Sequence, residues 1–245
     1  MSVLVIIPTY NERENLPVVV GRILDETPYR ILVVDDQSPD GTGELADELA
    51  QKHPERLHVL RRTGSRGLGL SYVDGFTWAL ATDADLICQM DADLSHDPKY
   101  LPDLVAAASK YDLVLGSRYM SGISVINWPL RRILLSWFAN NYVRTITGLT
   151  AADGTSGFRC WRREMLAKLD FSRFLSQRYA FTVETAFEVS HLGGTVGEVP
   201  IIFVERRVGA SKMSGRVLLE SMIMPWRLVW RHRGRLKPPA AGSGR

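Results

Sequence analysis

Two aspartates one residue apart, Asp91 and Asp93 with Ala92 between them, follow the apolar run Leu86-Ile-Cys-Gln-Met90. Carboxylates at that spacing repel each other unless a cation sits between them. They are hard oxygen ligands, suited to Mg2+ or Mn2+ with diphosphate oxygens completing the shell. The plainer alternative is a loop or helix-capping role ahead of Pro98. A second acidic pair, Asp35-Asp36, closes the run Arg30-Ile-Leu-Val-Val34. There Pro39-Asp-Gly41 has strong turn chemistry, and Asp36 is expected to accept hydrogen bonds from a ribose or base. Pro8-Thr-Tyr-Asn-Glu12 leaves the first apolar run. Tyr10 either stacks on a base or simply packs, and Glu12 suits ribose or base edges.

Three basic groups could serve anions. Arg66-Gly-Leu-Gly-Leu70 either lets backbone N–H groups approach a phosphate or makes a tight helix entry. Arg206 with Gly209-Ala-Ser-Lys212 is a closing clamp over a diphosphate or a solvated charge run. Arg118, Arg131 and Arg132 flank the 120–129 loop, with Ser136 one helical turn after Arg132. They form a second anion site or a set of surface ion pairs. The histidines His53, His58, His96, His191 and His232 show no obvious catalytic partner. The two cysteines, Cys88 and Cys160, have neither metal nor redox spacing, and Cys88 reads as a small core residue.

These residues need elements to position them. Buried strands are predicted at 2–8, 30–34, 57–60, 85–90 and 112–116, with helices at 15–26, 42–52, 68–82 and 98–110 between them. Strand-helix alternation with short connections implies an α/β fold with a mostly parallel sheet. Such sheets bind ligands beyond the carboxyl ends of their strands, where the polar clusters fall. Beyond a loop at 120–129, helices are expected at 130–146 and 179–192, a turn at 153–157 and a strand at 195–204. An amphipathic stretch over 211–230 precedes a small-residue tail.

The chain has 245 residues, 45% of them apolar, and a net charge of +3. Residues 206–245 hold ten Lys and Arg against one acid, Glu220, leaving the remainder acidic. That end favours an anionic partner. No run reaches the ~18–20 apolar residues of a membrane span, and no signal peptide is evident, so a cytoplasmic location is expected. A dehydrogenase is disfavoured, because no G-x-G-x-x-G follows the opening strand. A nucleic-acid binder is disfavoured too, for want of a reading motif.

Eight stretches, in order, resemble one family: PTYNERENLP (8–17), VVDDQSPDGT (33–42), RGLGLSYVDGF (66–76), QMDADLSHDPKYLP (89–102), LGSRY (115–119), DGTSGFRCWRR (153–163), GEVPIIFVER (197–206) and GASK (209–212). The family is that of dolichol- and polyprenol-phosphate mannose synthases, within the inverting glycosyltransferase family 2. The resemblance implies a nucleotide-diphospho-sugar transferase (GT-A) fold over residues 1–212. It implies GDP-mannose as donor, a polyprenyl phosphate as acceptor and a β-linked product. It places Pro8, Tyr10, Glu12, Val34 and Asp36 at the guanosine end, and Asp91, Ala92 and Asp93 at the diphosphate and metal. Arg118, Arg206 and Lys212 fall on donor positions, Arg206 and Lys212 joining Asp91 and Asp93 in catalysis. Some members use a Gln two residues beyond the second Asp as a metal ligand. Here that position is Ser95, a weaker ligand, so Asp93 is expected to hold most of the metal.

Many members append membrane helices, whereas this chain ends in a basic, tryptophan-bearing segment at 213–237 and a disordered tail at 238–245. That segment suits a membrane interface, directly or through a separate membrane-anchoring protein, or else packs on the main domain. Rival readings are a UDP-glucose-dependent polyprenyl-phosphate glucosyltransferase and a non-catalytic nucleotide-binding subunit.

Overall fold

The computed structural model describes residues 1–174, 176, 180–204 and 215–233. In chain order the elements are β1 (Val3–Thr9), α1 (Leu16–Glu26), β2 (Arg30–Asp35), α2 (Thr42–Lys52), β3 (Leu57–Arg61), α3 (Leu68–Leu80), β4 (Leu86–Gln89), α4 (Leu101–Ala107), β5 (Leu113–Ser117), β6 (Val125–Ile126), α5 (Leu130–Thr147), β7 (Arg159–Arg162), α6 (Arg163–Leu166), α7 (Ala180–His191), β8 (Val196–Pro200), β9 (Phe203–Val204) and α8 (Gly215–Arg231). Seven strands form one sheet in the order β3-β2-β1-β4-β7-β5-β8. Among the described strands of this sheet only β7 runs against its neighbours, antiparallel to both β4 and β5. The short β6 and β9 pair separately, in parallel.

β1 is buried along its whole length because both faces of the sheet are covered. Leu4 and Ile6 point into a core shared with α3, α7 and α8, including Phe76, Phe187 and Leu228. Val3, Val5 and Ile7 point the other way, onto α1 and α4 through Val19, Ile23 and Leu104. Gly75 is where α3 presses on the sheet: a Cβ there would lie 2.9 Å from Ile6 Cγ2 and 3.2 Å from Val34 Cγ2. Cys88 and Cys160 are buried and directly opposed across β4 and β7, as core residues.

Three expectations change. The stretch 195–204 is two strands rather than one. β8 stops at Pro200, which offers no N–H to extend a ladder, and β9 belongs to the small ribbon. The 120–129 loop contributes β6 to that ribbon. β7 was not anticipated: four residues bounded by arginines, Arg159-Cys-Trp-Arg162, carry little strand signal of their own.

The C-terminal helix has two faces. Met224 and Leu228 are buried in the core, while Met222, Ile223, Trp226 and Trp230 are exposed. Its last turn is docked by polar contacts: Arg231 Nη2 donates to Glu184 Oε1 (2.6 Å) and His232 Nε2 lies 2.9 Å from Glu188 Oε1. Arg231 therefore points inward and is not part of an outward basic face. Among the described residues no helix is long and apolar enough to cross a membrane.

Candidate functional site

The loops that leave β1, β2 and β4 meet at the carboxyl edge of the sheet. Each contains one non-glycine residue in the left-handed region: Asn11, Gln37 and Leu94. Asn tolerates that conformation, but for a branched residue such as Leu94 it is strained, and strain of this kind collects at functional sites.

In the β4 loop, Asp91 is partly exposed while Ala92 and Asp93 are buried. Asp93 Oδ1 accepts from Ser95 N–H (3.1 Å) and from Ser95 Oγ (2.5 Å). Ser95 thus orients the second aspartate. Tyr72 Oη lies 3.4 Å from Asp91 Oδ1, and burial, with Asp91 beside it, pushes that phenol well above its usual range. His96 lies beneath the loop, stacked on Phe158 with ring centroids 5.0 Å apart. Its Nδ1 accepts the Asp91 backbone N–H at 3.0 Å, so the ring proton belongs on Nε2. Burial holds its pKa below the usual histidine value, against the pull of Asp91 and Asp93. Tyr72 and His96 were not among the expected site residues. For His96 a sequence signal existed: it follows Asp91 by five residues in one tight loop.

The chemistry of the donors fits a hard divalent cation. Asp91 and Asp93 supply carboxylate oxygens, and among the described residues no set of three His, Cys, Asp or Glu side chains could hold an ion unaided. Such a pair needs substrate oxygens to complete the shell.

Beside the aspartate loop, Pro8 pairs with Val34 in the β1–β2 register, which brings the β1 and β2 loops together. Arg66 covers Tyr10, its guanidinium 4.9 Å from the ring centroid and Nη1 donating to the hydroxyl at 2.9 Å. Glu12 Oε2 accepts from Asn15 Nδ2 (2.8 Å), and the Glu12 N–H donates to Thr42 Oγ1 (3.0 Å). Asp36 is buried; it accepts from Arg62 through Oδ1 and from the Gly67 N–H at 2.8 Å through Oδ2. One backbone donor of the 66–70 loop is therefore committed to Asp36. The turn at 39–41 forms as expected, with Gly41 at φ 86°.

Across the site, Arg118 makes a two-pronged pair with Asp153: Nε to Oδ2 and Nη2 to Oδ1, both 2.7 Å. Asp153 is fully buried, which alone would raise its pKa, yet Arg118 holds it below the usual carboxylate range. Glu198 of β8 fixes this turn by accepting the N–H groups of Ala152 (2.8 Å) and Asp153 (3.0 Å). Arg159, pulled by burial down to about 9 and so still charged at neutral pH, ties the Gly154 and Ser156 carbonyls to Thr185. Arg118 thus stands with Arg132 and Ser136, the three facing the Tyr119 hydroxyl. Arg131 is exposed on the same helical turn as Arg132. Arg206 and Lys212 lie outside the described residues.

A parallel sheet with one reversed strand, and a paired-aspartate loop at its carboxyl edge, defines a glycosyltransferase of the nucleotide-diphospho-sugar transferase (GT-A) type. Residues 4–170 match the profile described as Glycosyl transferase family 2, and the chain belongs to that family. It is 49% identical over 235 residues to the polyprenol monophosphomannose synthase of Mycolicibacterium smegmatis, covering 95% of this chain and 88% of that protein. It is 45% identical to the undecaprenyl-phosphate mannosyltransferase of Micrococcus luteus, covering 96% and 97%. Two solved structures share the fold. One is glucosyl-3-phosphoglycerate synthase from Mycobacterium tuberculosis, with Mn2+, UDP-glucose and phosphoglyceric acid (TM-score 0.69, 18% identity, 100% of this chain and 82% of that one). The other is a mannosyltransferase from Pyrobaculum calidifontis with GDP-mannose and Mn2+ (TM-score 0.67, 19% identity, 97% and 66%).

Proposed function

We propose that the protein transfers mannose from GDP-mannose to a polyprenyl phosphate, with inversion, giving a polyprenyl β-mannosyl phosphate. The two curated relatives are named for that class of reaction. The observation that carries the reading is the build of α5. Its first turns bring Arg132 and Ser136 beside Arg118, and the same helix exposes Leu130, Leu134, Leu135, Trp137 and Phe138. A phosphate joined to a long apolar chain matches that succession of cationic and apolar groups.

In this reading Tyr10, Glu12 and Asp36 with its loop hold the guanosine end. Asp91 and Asp93 would hold a Mg2+ or Mn2+ ion, which when bound neutralises charge on the departing diphosphate. Tyr72, His96 and Ser95 keep the two aspartates in place. An acceptor phosphate oxygen bonds to the anomeric carbon while the bond from that carbon to the GDP oxygen breaks, and GDP leaves with the electron pair. A phosphate monoester is already anionic near neutral pH, so no side chain has to remove a proton. Catalysis rests on alignment and on charge stabilisation, with Arg206 and Lys212 assigned to the leaving group.

The exposed faces of α5 and α8 are assigned to the membrane surface. Tyr142 of α5 joins them, accepting from Trp226 Nε1 (2.9 Å) and donating to the Met222 carbonyl (2.8 Å). The test is transfer from radiolabelled GDP-mannose to a defined polyprenyl phosphate, with UDP-glucose in parallel and with or without chelator. Turnover should require GDP-mannose, stop with chelator and fall by roughly 10²–10³ in Asp93→Ala, the scale of losing one electrostatic contact to a transition state. Preference for UDP-glucose, or full turnover in chelator, would overturn the reading.

A further inference from the structure

β4 carries one polar side chain among apolar neighbours, that of Gln89, which is 1% exposed. An amide shut away from water is costly unless its oxygen and its nitrogen both find partners. Trp161 of β7 supplies the first, its Nε1 donating to Gln89 Oε1 at 2.8 Å. In the ladder Trp161 stands opposite Ile87, so it meets Gln89 on the diagonal, on the same face of the sheet. Tyr72 of α3 supplies the second: its hydroxyl is hydrogen-bonded to Gln89 and reaches Asp91 Oδ1 at 3.4 Å. The rings are held in place by one another. Tyr72 stacks on Phe76 (5.9 Å) and Phe181 (6.4 Å), Phe76 meets Trp161 edge-on at 5.7 Å, and all four are buried.

The direction of every bond in this series follows from one atom. An indole N–H only donates, so the atom of Gln89 that meets it is the oxygen. The amide nitrogen is thereby turned to Tyr72, and it too only donates. The phenol oxygen accepts that bond, which sends its own hydrogen towards Asp91, whose carboxylate only accepts. An amide free to turn could offer its oxygen to the phenol hydrogen instead, and Asp91 would lose a donor. Trp161 closes off that alternative.

We infer that Trp161, Gln89 and Tyr72 form a directed hydrogen-bond chain that positions the Asp91 carboxylate for its divalent ion. This rests on the metal reading proposed above. Tyr72 is a positioning residue, and Gln89 and Trp161 act through it. Through Trp161, the reversed strand β7 takes part in setting the aspartate at the end of β4. Groups one step behind a metal ligand commonly account for about 10–100-fold in metal affinity.

Tyr72→Phe, in the full chain, removes the donor to Asp91 and keeps the stacked ring. Mn2+ binding in the presence of GDP, read by electron paramagnetic resonance, should weaken about ten-fold, the lower end of that range. GDP affinity in chelator should be unchanged, and the melting temperature should stay close to that of the unaltered chain. Turnover should fall at limiting Mn2+ and recover as Mn2+ is raised, which a general loss of packing would not do. Gln89→Leu should weaken Mn2+ binding to a similar degree. Tyr72→Phe combined with Gln89→Leu should weaken it no further than Tyr72→Phe alone, because the amide acts only through the phenol. Where Gln89→Leu does not fold, Tyr72→Phe decides by itself. Unchanged Mn2+ affinity in Tyr72→Phe would overturn the inference and leave the three side chains as core packing. Losses that add in the double variant would overturn it too, by giving Gln89 a route of its own. In both cases the unaltered chain still binds Mn2+ with GDP and transfers mannose, so the proposed function stands. If instead the unaltered chain binds no Mn2+ with GDP, the metal reading fails and the inference fails with it.

Discussion

A single neutral acceptor beneath the aspartate loop makes His96 the residue whose role is easiest to isolate. Its Nδ1 takes the Asp91 N–H at 3.0 Å, and nothing on its side chain needs to reach substrate. His96→Phe keeps the stacking on Phe158 but leaves that N–H without an acceptor, at a cost of about 1–3 kcal/mol. His96→Asn returns an oxygen to nearly the Nδ1 position. We expect kcat to fall by about ten-fold or more in His96→Phe and to recover most of the way in His96→Asn, with GDP binding similar in both. Equal loss in the two variants would count against the positioning role. The aspartates drew notice through their spacing after a buried strand and the second acidic pair Asp35-Asp36, with a loop or capping role as the plainer alternative. The nearness of His96 to the aspartate loop was legible too, but its role was not, since a histidine's role depends on which atom it faces and the sequence does not record that.

At the level of elements, α8 is both a packing helix and a presented one. Met224 and Leu228 enter the core, and Trp226 and Trp230 stay outside. Separate substitutions distinguish the two jobs. Met224→Ala should lower unfolding stability by about 2–5 kcal/mol, as large-to-small core changes do. Trp226→Ser with Trp230→Ser should leave stability nearly unchanged and weaken flotation with anionic liposomes severalfold. Unchanged flotation would argue against a membrane role for this face. The helix was readable from its periodicity. Which residues face inward was not: Met224 and Leu228 are buried, whereas Met222, Ile223, Trp226 and Trp230 are exposed. The inward face is chosen by α5 and α7, and those contacts join distant parts of the chain. The parallel strands were readable for the opposite reason. They are buried on both faces, so each is apolar throughout wherever its neighbours lie.

Across the described residues the reversed strand β7 joins the β4 side of the sheet to the β5 side. On one side it pairs with β4, which ends at the aspartates; on the other it pairs with β5, which ends at Arg118. Arg159-Cys-Trp-Arg162 gave no hint of this from composition, because its strand character comes from the slot it fills. During synthesis that slot stays open while about seventy residues beyond β4 are added. Until β7 arrives, the buried strand Leu86–Gln89 has one bare edge, and bare apolar edges recruit other chains. A fragment ending near residue 112 should therefore aggregate, as read by light scattering, where the full chain does not. A monomeric, soluble fragment would show that the edge is protected in some other way. The strand that closes the sheet thus leaves the growing chain with an open apolar edge from the emergence of β4 until β7 follows.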